Sequence, residues 1–192
     1  LLVPAELVQI AEVDGRPAWE IWKEHTKEAA KKLDIDPDKL SDASEIGKFF
    51  ANYELGLKVG EDAYKMRWPS GVNQDGSLNF TCGIAQGSVF SIMDGSRAED
   101  LIEASGKAAR EARDKAAAAG FDRFAGMLVF ECAVRAMILG DRFSQGVEGF
   151  KREMGDVPMA GFETYGEICL EPGRFSGYHN TTSVVVLIPD VS

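Results

Sequence analysis

Cysteine and histidine are scarce in this sequence, and their scarcity limits the chemistry available to the chain. Its 192 residues include three cysteines, Cys82, Cys132 and Cys169, and two histidines, His25 and His179. The cysteines are odd in number and widely spaced, so they fit neither a disulfide framework nor a Cys-x-x-Cys zinc motif. We therefore expect no metal site, and a reducing, cytoplasmic setting.

The sequence also lacks the motifs that bind common cofactors. It contains no Gly-x-Gly-x-x-Gly. The pair Gly106-Lys107 lacks the upstream glycine of a phosphate-binding loop and lies within a predicted helix. No apolar run approaches the roughly 20 residues that a membrane-spanning helix needs. These absences predict no cofactor and no membrane span.

Positive charge is in deficit, with 21 lysines and arginines against 31 aspartates and glutamates, a formal net charge of -10. This balance disfavours binding to nucleic acid and to anionic membrane surfaces. An apolar content of 45% and a charged content of 27% are typical of globular chains. The chain starts without Met, on the apolar residues Leu1 and Leu2, so we expect a fragment of a longer protein.

The pattern of apolar residues predicts an α+β domain. Helical spacing occurs in three segments, residues 17–33, 96–119 and 141–154. Between residues 54 and 94 the period shifts toward two, which favours an antiparallel meander with a long loop at residues 69–76. Residues 126–130 are continuously apolar, as in a strand covered on both faces. We expect one domain over residues 1–192, a largely antiparallel or mixed sheet with packed helices.

Helix boundaries are predicted from capping residues. Ser44 is the expected cap of a short helix that contains Phe49 and Phe50. Ser96 and Glu99 have the spacing of a capping box, and Gly120 is the expected stop of the same helix. Along the sequence, one of these helices precedes the predicted strands of residues 54–94 and the other follows them.

Residues 158–170 form a strand-like stretch that two glycines, Gly161 and Gly166, interrupt. Glycine within a strand often marks a bulge or a close backbone approach. A bulge at Gly166 would turn Glu167 inward, toward a pocket. The alternative is a bent strand on which Glu163 and Glu167 are both solvated. The sequence leaves both interpretations open.

Polar side chains lie near three predicted strand ends: after the strand at residues 126–130, within residues 158–170 and before the last strand. Pockets are commonly built where such groups converge. Each also has a structural explanation. Cys132 fits a small core residue, Arg135 fits a salt bridge to a nearby carboxylate, and His179 with Asn180 fits loop capping. The candidate ligand-binding residues are Cys132, Arg135, Tyr165, Glu167, His179, Asn180 and Thr181.

Three motifs carry a resemblance to a known family. They are Leu-Val-Phe-x-Cys-x-x-Arg at residues 128–135, Gly-Phe-x-x-Tyr-Gly-Glu-Ile at residues 161–168 and His-Asn-Thr-Thr at residues 179–182. Together they resemble the C-terminal FIST domain. The resemblance implies a prokaryotic intracellular sensory module of signal transduction that binds small ligands such as amino acids. It also implies two partners, an N-terminal FIST half and a signalling output domain.

We therefore expect a cytoplasmic sensor of an amino acid or small carboxylate rather than an enzyme. Arg135 would hold the ligand carboxylate, Glu167 would take an amine, and residues 161–173 would move on binding. Two alternatives stay open. One is a docking module without its own ligand, and the other is an enzyme with Cys132 as nucleophile and His179 as base.

Overall fold

The computed structural model describes residues 7–61, 63–169 and 177–192. Helices and strands are both abundant, so the predicted α+β class is confirmed. The chain divides into two compact units, Leu1–Ser96 and Arg97–Ser192. Each unit has its own sheets and its own helices, and each is described in turn.

The first unit consists mainly of short antiparallel strands. Its elements are β1 (Leu7–Ile10), β2 (Glu12–Val13), β3 (Arg16–Pro17), α1 (Ala18–Ala30), a 3-10 turn (Lys31–Leu33), α2 (Ala43–Asn52), β4 (Tyr53–Lys58), β5 (Tyr64–Arg67), β6 (Pro69–Val72), β7 (Leu78–Ile84) and β8 (Phe90–Asp94). They form two three-stranded sheets, β1-β7-β6 and β5-β4-β8, and the hairpin β2-β3.

The strands of the first unit do not form the expected meander, and that prediction was wrong. The pairs β4-β5 and β6-β7 are consecutive in sequence, but β8 pairs with β4 and β1 pairs with β7, so the strands do not follow one another across a single sheet. The expected loop at residues 69–76 is also partly wrong, because Pro69–Val72 forms β6. A proline lacks the N–H of a ladder bond, and it is tolerated here because Pro69 begins an edge strand.

Aromatic rings fill the core of the first unit. Trp22 of α1 is fully buried among Phe50, Phe80 and Phe90. Its indole Nε1 donates to the backbone oxygen of Tyr53 at 3.0 Å, which satisfies the one polar atom of the ring. Burial of these rings stabilises the unit, because each removes a large apolar area from water.

Two of the predicted helix caps were wrong. Asp42, not Ser44, caps α2, since its Oδ1 accepts from the N–H groups of Ser44 and Glu45 at 2.8 and 2.9 Å. Ser96 does not cap the next helix, because its N–H donates to Asp94 Oδ1 at 3.0 Å and the helix begins at Ala98. In both places, an aspartate two residues before the serine accepts a hydrogen bond from the serine N–H.

The second unit has three main helices, a mixed sheet and a small hairpin. Its elements are α3 (Ala98–Ala118), β9 (Phe124–Cys132), α4 (Ala133–Leu139), a 3-10 turn (Gly140–Arg142), α5 (Phe143–Met154), β10 (Met159–Thr164), β11 (Glu167–Ile168), β12 (Tyr178–His179) and β13 (Ser183–Pro189). The sheet order is β10-β9-β13, with β10 parallel and β13 antiparallel to β9. β11 pairs with β12.

Helices α3 and α5 pack against each other through small residues. A Cβ atom at Gly149 would lie 3.2 Å from the backbone nitrogen of Gly106, so the two helices approach nearly backbone to backbone. Arg110 of α3 also forms an ion pair with Glu153 of α5 at 2.9 Å. The hydrogen bond from Arg110 lowers the pKa of the Glu153 carboxyl. Together these contacts fix the position of α5 over the sheet.

Among the described residues, helices cover one face of the sheet of the second unit, although its central strand was expected to be covered on both. Met127 and Val129 of β9 are buried against α3 and α5, in a cluster with Ala109 and Phe150. The alternating residue Leu128 is exposed. We call the opposite side the outer face, and its exposed apolar residues are Leu128, Phe162, Val186 and Ile188.

Candidate functional site

The turn after β10 decides which of the two central glutamates is buried. Gly166 has φ 135°, a conformation that side-chain-bearing residues rarely adopt. A Cβ atom at this position would lie 2.7 Å from the hydroxyl oxygen of Tyr178, so the tyrosine ring covers the glycine. Beyond the turn Glu167 is only 1% exposed, whereas Glu163 is exposed. Glu167 is therefore turned inward and Glu163 is not, while the presentation of Glu167 to a pocket stays a prediction.

Both oxygens of the Glu167 carboxylate accept hydrogen bonds from the protein. Oε1 accepts from Thr164 Oγ1 at 2.6 Å and from the Gly166 N–H at 3.3 Å. Oε2 accepts from Thr182 Oγ1 at 3.1 Å and from the Thr182 N–H at 3.4 Å. The carboxylate thus links the end of β10 to the start of β13. A role in binding a ligand amine stays a prediction.

Several of the sequence-predicted residues lie around Glu167. His179 pairs with Glu167 between β12 and β11, and its Nε2 lies 3.0 Å from the Cys169 carbonyl oxygen. Asn180 is buried, with its Nδ2 3.5 Å from the Tyr178 hydroxyl. Thr181 follows with φ 53°. The pair β11-β12 therefore brings polar side chains, Glu167 and His179, together with the following Asn180.

Tyr165 and Cys132 differ sharply in exposure. Tyr165 is 94% exposed, so it does not join the buried polar groups. Cys132 is 3% exposed, and its N–H donates to the Thr182 carbonyl oxygen at 3.1 Å. A buried thiol is poorly placed to attack a substrate, which speaks against the Cys132 nucleophile. Of the expected moving segment, residues 170–173 lie outside the described residues.

Arg135 lies apart from this region, in α4. Its Nε donates to Glu131 Oε1 at 2.6 Å, and its Nη2 donates to the Leu101 carbonyl oxygen at 2.7 Å and to Ser105 Oγ at 2.8 Å. The residue is 3% exposed. Arg135 therefore forms the salt bridge to a nearby carboxylate that was the structural explanation of this residue. Binding of a ligand carboxylate by Arg135 stays a prediction that these contacts do not favour.

A concave site of about 310 Å³ lies between β9, β10 and α5. Its wall is largely apolar and includes Phe143, Val147 and Phe150 of α5. Two acidic residues, Glu131 and Glu163, also line it, and the register of β9 and β10 places them opposite each other. We call this site the α5 pocket.

Glu131 was not among the residues predicted from sequence, yet it is the most unusual group in the α5 pocket. It is 5% exposed, and its Oε2 is buried without a hydrogen-bond partner among the residues that the structure describes. Buried carboxylate oxygens are normally paired, so such an atom is informative. The signal in the sequence is an acidic residue at the end of an apolar strand, four residues before an arginine.

Other features of the described chain are less suited to bind a ligand. A wider concavity of about 540 Å³ in the first unit lies between the turns at Asp14-Gly15 and Gln86-Gly87. Among the described residues that line it, none has a buried polar side-chain atom without a partner. In residues 7–61, 63–169 and 177–192, no three His, Cys, Asp or Glu side chains come together as a metal site would require.

Comparison with known proteins assigns the family. A model of the FIST C domain matches residues 18–170, which is most of the chain. Neither the curated proteins nor the solved structures contain a match. Within the described part of the chain, each helix is too short or too polar to cross a bilayer. The chain belongs to the FIST C domain family, and it is a sensory domain of signal transduction.

Proposed function

We propose that the α5 pocket binds a small molecule and that this binding is the sensory event. The observation that carries the proposal is the buried, unpartnered Oε2 of Glu131 in an otherwise apolar concavity. Small-molecule sites typically have about 300–1,000 Å³, apolar walls and a few polar groups that orient the ligand. A site of about 310 Å³ suits a ligand with few heavy atoms.

The position of the pocket also suits a sensor. A ligand carries a signal only if it binds one of two conformations more tightly than the other. β10, which lines the pocket, is an edge strand held by β9 on one side. It leads directly into the turn at Gly166 and the carboxylate of Glu167, which contacts Thr182 before β13. A shift of β10 on binding would therefore change these contacts.

A thermal-shift screen with a pocket-filling variant tests the proposal. The compounds are small amines, amino acids and carboxylates, which include the classes expected from the sequence. A ligand at 100 times its dissociation constant stabilises the folded chain by about 2.7 kcal/mol. We expect at least one compound to raise the melting temperature of the wild type. Val147→Trp places a large ring in the pocket and should abolish that increase.

The matched control is Glu148→Trp, which adds the same ring to the exposed side of α5. It should retain the response to the compound. Stabilisation that survives in Val147→Trp would place the ligand elsewhere and contradict the proposal. The absence of any response in the wild type across the screen would contradict it as well.

A second candidate function is docking on a signalling output domain through the outer face. The observation that favours it is the group of exposed apolar residues on one face of β10-β9-β13.

Val186→Lys would place a charge in this face without touching the α5 pocket, and Val191→Lys is a matched exposed control. If the face docks, the first variant should reduce signalling output in the full-length protein and the second should not. Equal output from both would contradict docking.

A further inference from the structure

All charged side chains that line the α5 pocket have the same sign. Glu131 and Glu163 are acidic, and the described residues that line the pocket include no lysine, arginine or histidine. Glu163 lies directly opposite Glu131 in the parallel register of β10 and β9. Neighbouring strands are about 4.8 Å apart, so the backbone positions of these two acidic residues are close together. The pocket therefore has a negative potential.

The neighbouring arginine neutralises only part of this charge. Arg135 Nε donates to Oε1 of Glu131, and its Nη2 is directed to α3, to the Leu101 carbonyl oxygen and Ser105 Oγ. Oε2 of Glu131 is left without a donor among the described residues. The Glu131–Arg135 pair is neutral overall, so Glu163 adds one net negative charge at the pocket.

We propose that the ligand of the α5 pocket is a small aliphatic amine without a carboxylate. This inference rests on the proposed function and specifies its ligand class. The ammonium group would donate to Glu131 Oε2 and lie near the carboxylate of Glu163. The hydrocarbon part would contact Val147 and Phe150. The amine thereby supplies the donor that the buried oxygen lacks, and it balances the excess negative charge.

The same arrangement disfavours the ligands that carry a carboxylate. A carboxylate has no donor to pair with in the lining and would meet two groups of its own sign. An amino acid brings an ammonium and a carboxylate on the same carbon, so its second group would be desolvated next to Phe150 or placed near Glu163. The order of affinity should therefore be amine, then amino acid, then carboxylate.

Three compounds with the same branched hydrocarbon part distinguish these classes. They are isoamylamine, leucine and 4-methylpentanoate, and their binding to the folded chain is measured by calorimetry at pH 7. We expect isoamylamine to bind and the other two to bind at least about tenfold more weakly, since one charged hydrogen bond changes affinity by that order. Preferential binding of leucine or of 4-methylpentanoate would overturn the inference, and so would the absence of isoamylamine binding.

Variants test whether Glu163 and Glu131 bind the amine. Glu163→Gln changes an exposed side chain, so it should fold and bind isoamylamine several-fold more weakly. Glu148→Gln on the exposed side of α5 should bind as the wild type does.

Because Glu131→Gln alone would leave Arg135 without its carboxylate, we combine it with Arg135→Gln. That double variant should lose about ten- to hundredfold in amine affinity. Unchanged affinity in it, once circular dichroism shows that it is folded, would overturn the role of Glu131.

Val147→Trp separates this inference from the proposed function. If leucine or 4-methylpentanoate binds more tightly than isoamylamine and Val147→Trp abolishes the binding, the pocket is a ligand site and the amine assignment is wrong. If isoamylamine binds equally to Val147→Trp and to the wild type, both proposals are wrong.

Discussion

Nε of Arg135 donates to Oε1 of Glu131 at 2.6 Å, and the two side chains are only 4% and 7% exposed. The pair joins the end of β9 to the first turns of α4, and the remaining donors of the arginine reach α3. Removal of one partner would leave the other charge buried and uncompensated. The pair therefore belongs to the folded framework, and its carboxylate partner Glu131 also lines the α5 pocket.

Arg135→Ala should destabilise the chain by about 3–5 kcal/mol, because it leaves the Glu131 carboxylate buried without its cation. Urea unfolding measures this loss. The double replacement Glu131→Leu with Arg135→Met removes both charges and should recover most of the stability. Arg142→Ala, which breaks an ion pair with Glu99 on the surface, should have a much smaller effect. A loss as small for Arg135→Ala would show that the buried pair does not form.

Local patterns in the sequence predicted the helices better than they predicted the sheets. Apolar spacing located α1 and α3, because a helix is defined by neighbours three and four residues apart. Strand pairing is not local, and the partnership of β1 with β7 leaves no signal in either segment alone. Pro69 was assigned to a loop because its place at a sheet edge cannot be seen in the sequence.

The candidate site was only partly predictable for the same reason. Gly166 correctly indicated a turn that directs Glu167 inward. Glu131 was missed because its importance depends on its contacts with Arg135 and on the nearby helix α5. Both come later in the sequence, and only the fold brings α5 close to Glu131. Arg135 was assigned to a ligand because its contact with Ser105, 30 residues away, is a product of the packing of α3.

Gly166→Ala should destabilise the second unit by about 1–3 kcal/mol, since alanine is strained at this φ. The new methyl group would also meet the Tyr178 ring at 2.7–3.0 Å. Thermal unfolding measures the loss. Gly71→Ala is the control, because Gly71 lies in strand β6 with open space around its Cα. It should be neutral or slightly stabilising, and an equal loss at both glycines would refute the conformational argument.

Gly47→Ala and Gly149→Ala should have opposite effects on stability, although both glycines lie within helices. Gly47 has open space, so alanine should stabilise α2 by about 0.5–1 kcal/mol through its helix propensity. At Gly149 the added Cβ would lie 3.2–3.3 Å from backbone atoms of α3. Overpacking costs about 1–3 kcal/mol, which exceeds the gain in propensity. Chemical denaturation of the two variants compares them directly, and stabilisation by Gly149→Ala would show that α3 and α5 are less closely packed.

Tyr53 should make the chain less stable in alkali. Its side chain is 1% exposed, and its hydroxyl has no hydrogen-bond partner among the described residues. Burial, with a smaller contribution from Asp94, raises the pKa of the phenol from 10.0 to about 12. The unfolded chain therefore loses this proton at lower pH than the folded chain does. The stabilising contribution of the neutral phenol is complete below pH 10, and it is lost as the pH rises from about 10 to about 12.

Tyr53→Phe isolates this contribution from the lysines that titrate over the same range. The variant should be at least as stable as the wild type at pH 8, because it removes a buried hydroxyl that makes no hydrogen bond. As the pH rises above 10, the free energy of unfolding should fall less steeply in Tyr53→Phe than in the wild type. Urea unfolding at pH 8, 10 and 11 measures both slopes. Parallel slopes would mean that the Tyr53 phenol ionises in the folded chain as readily as in the unfolded chain, and hence that the first unit does not bury it.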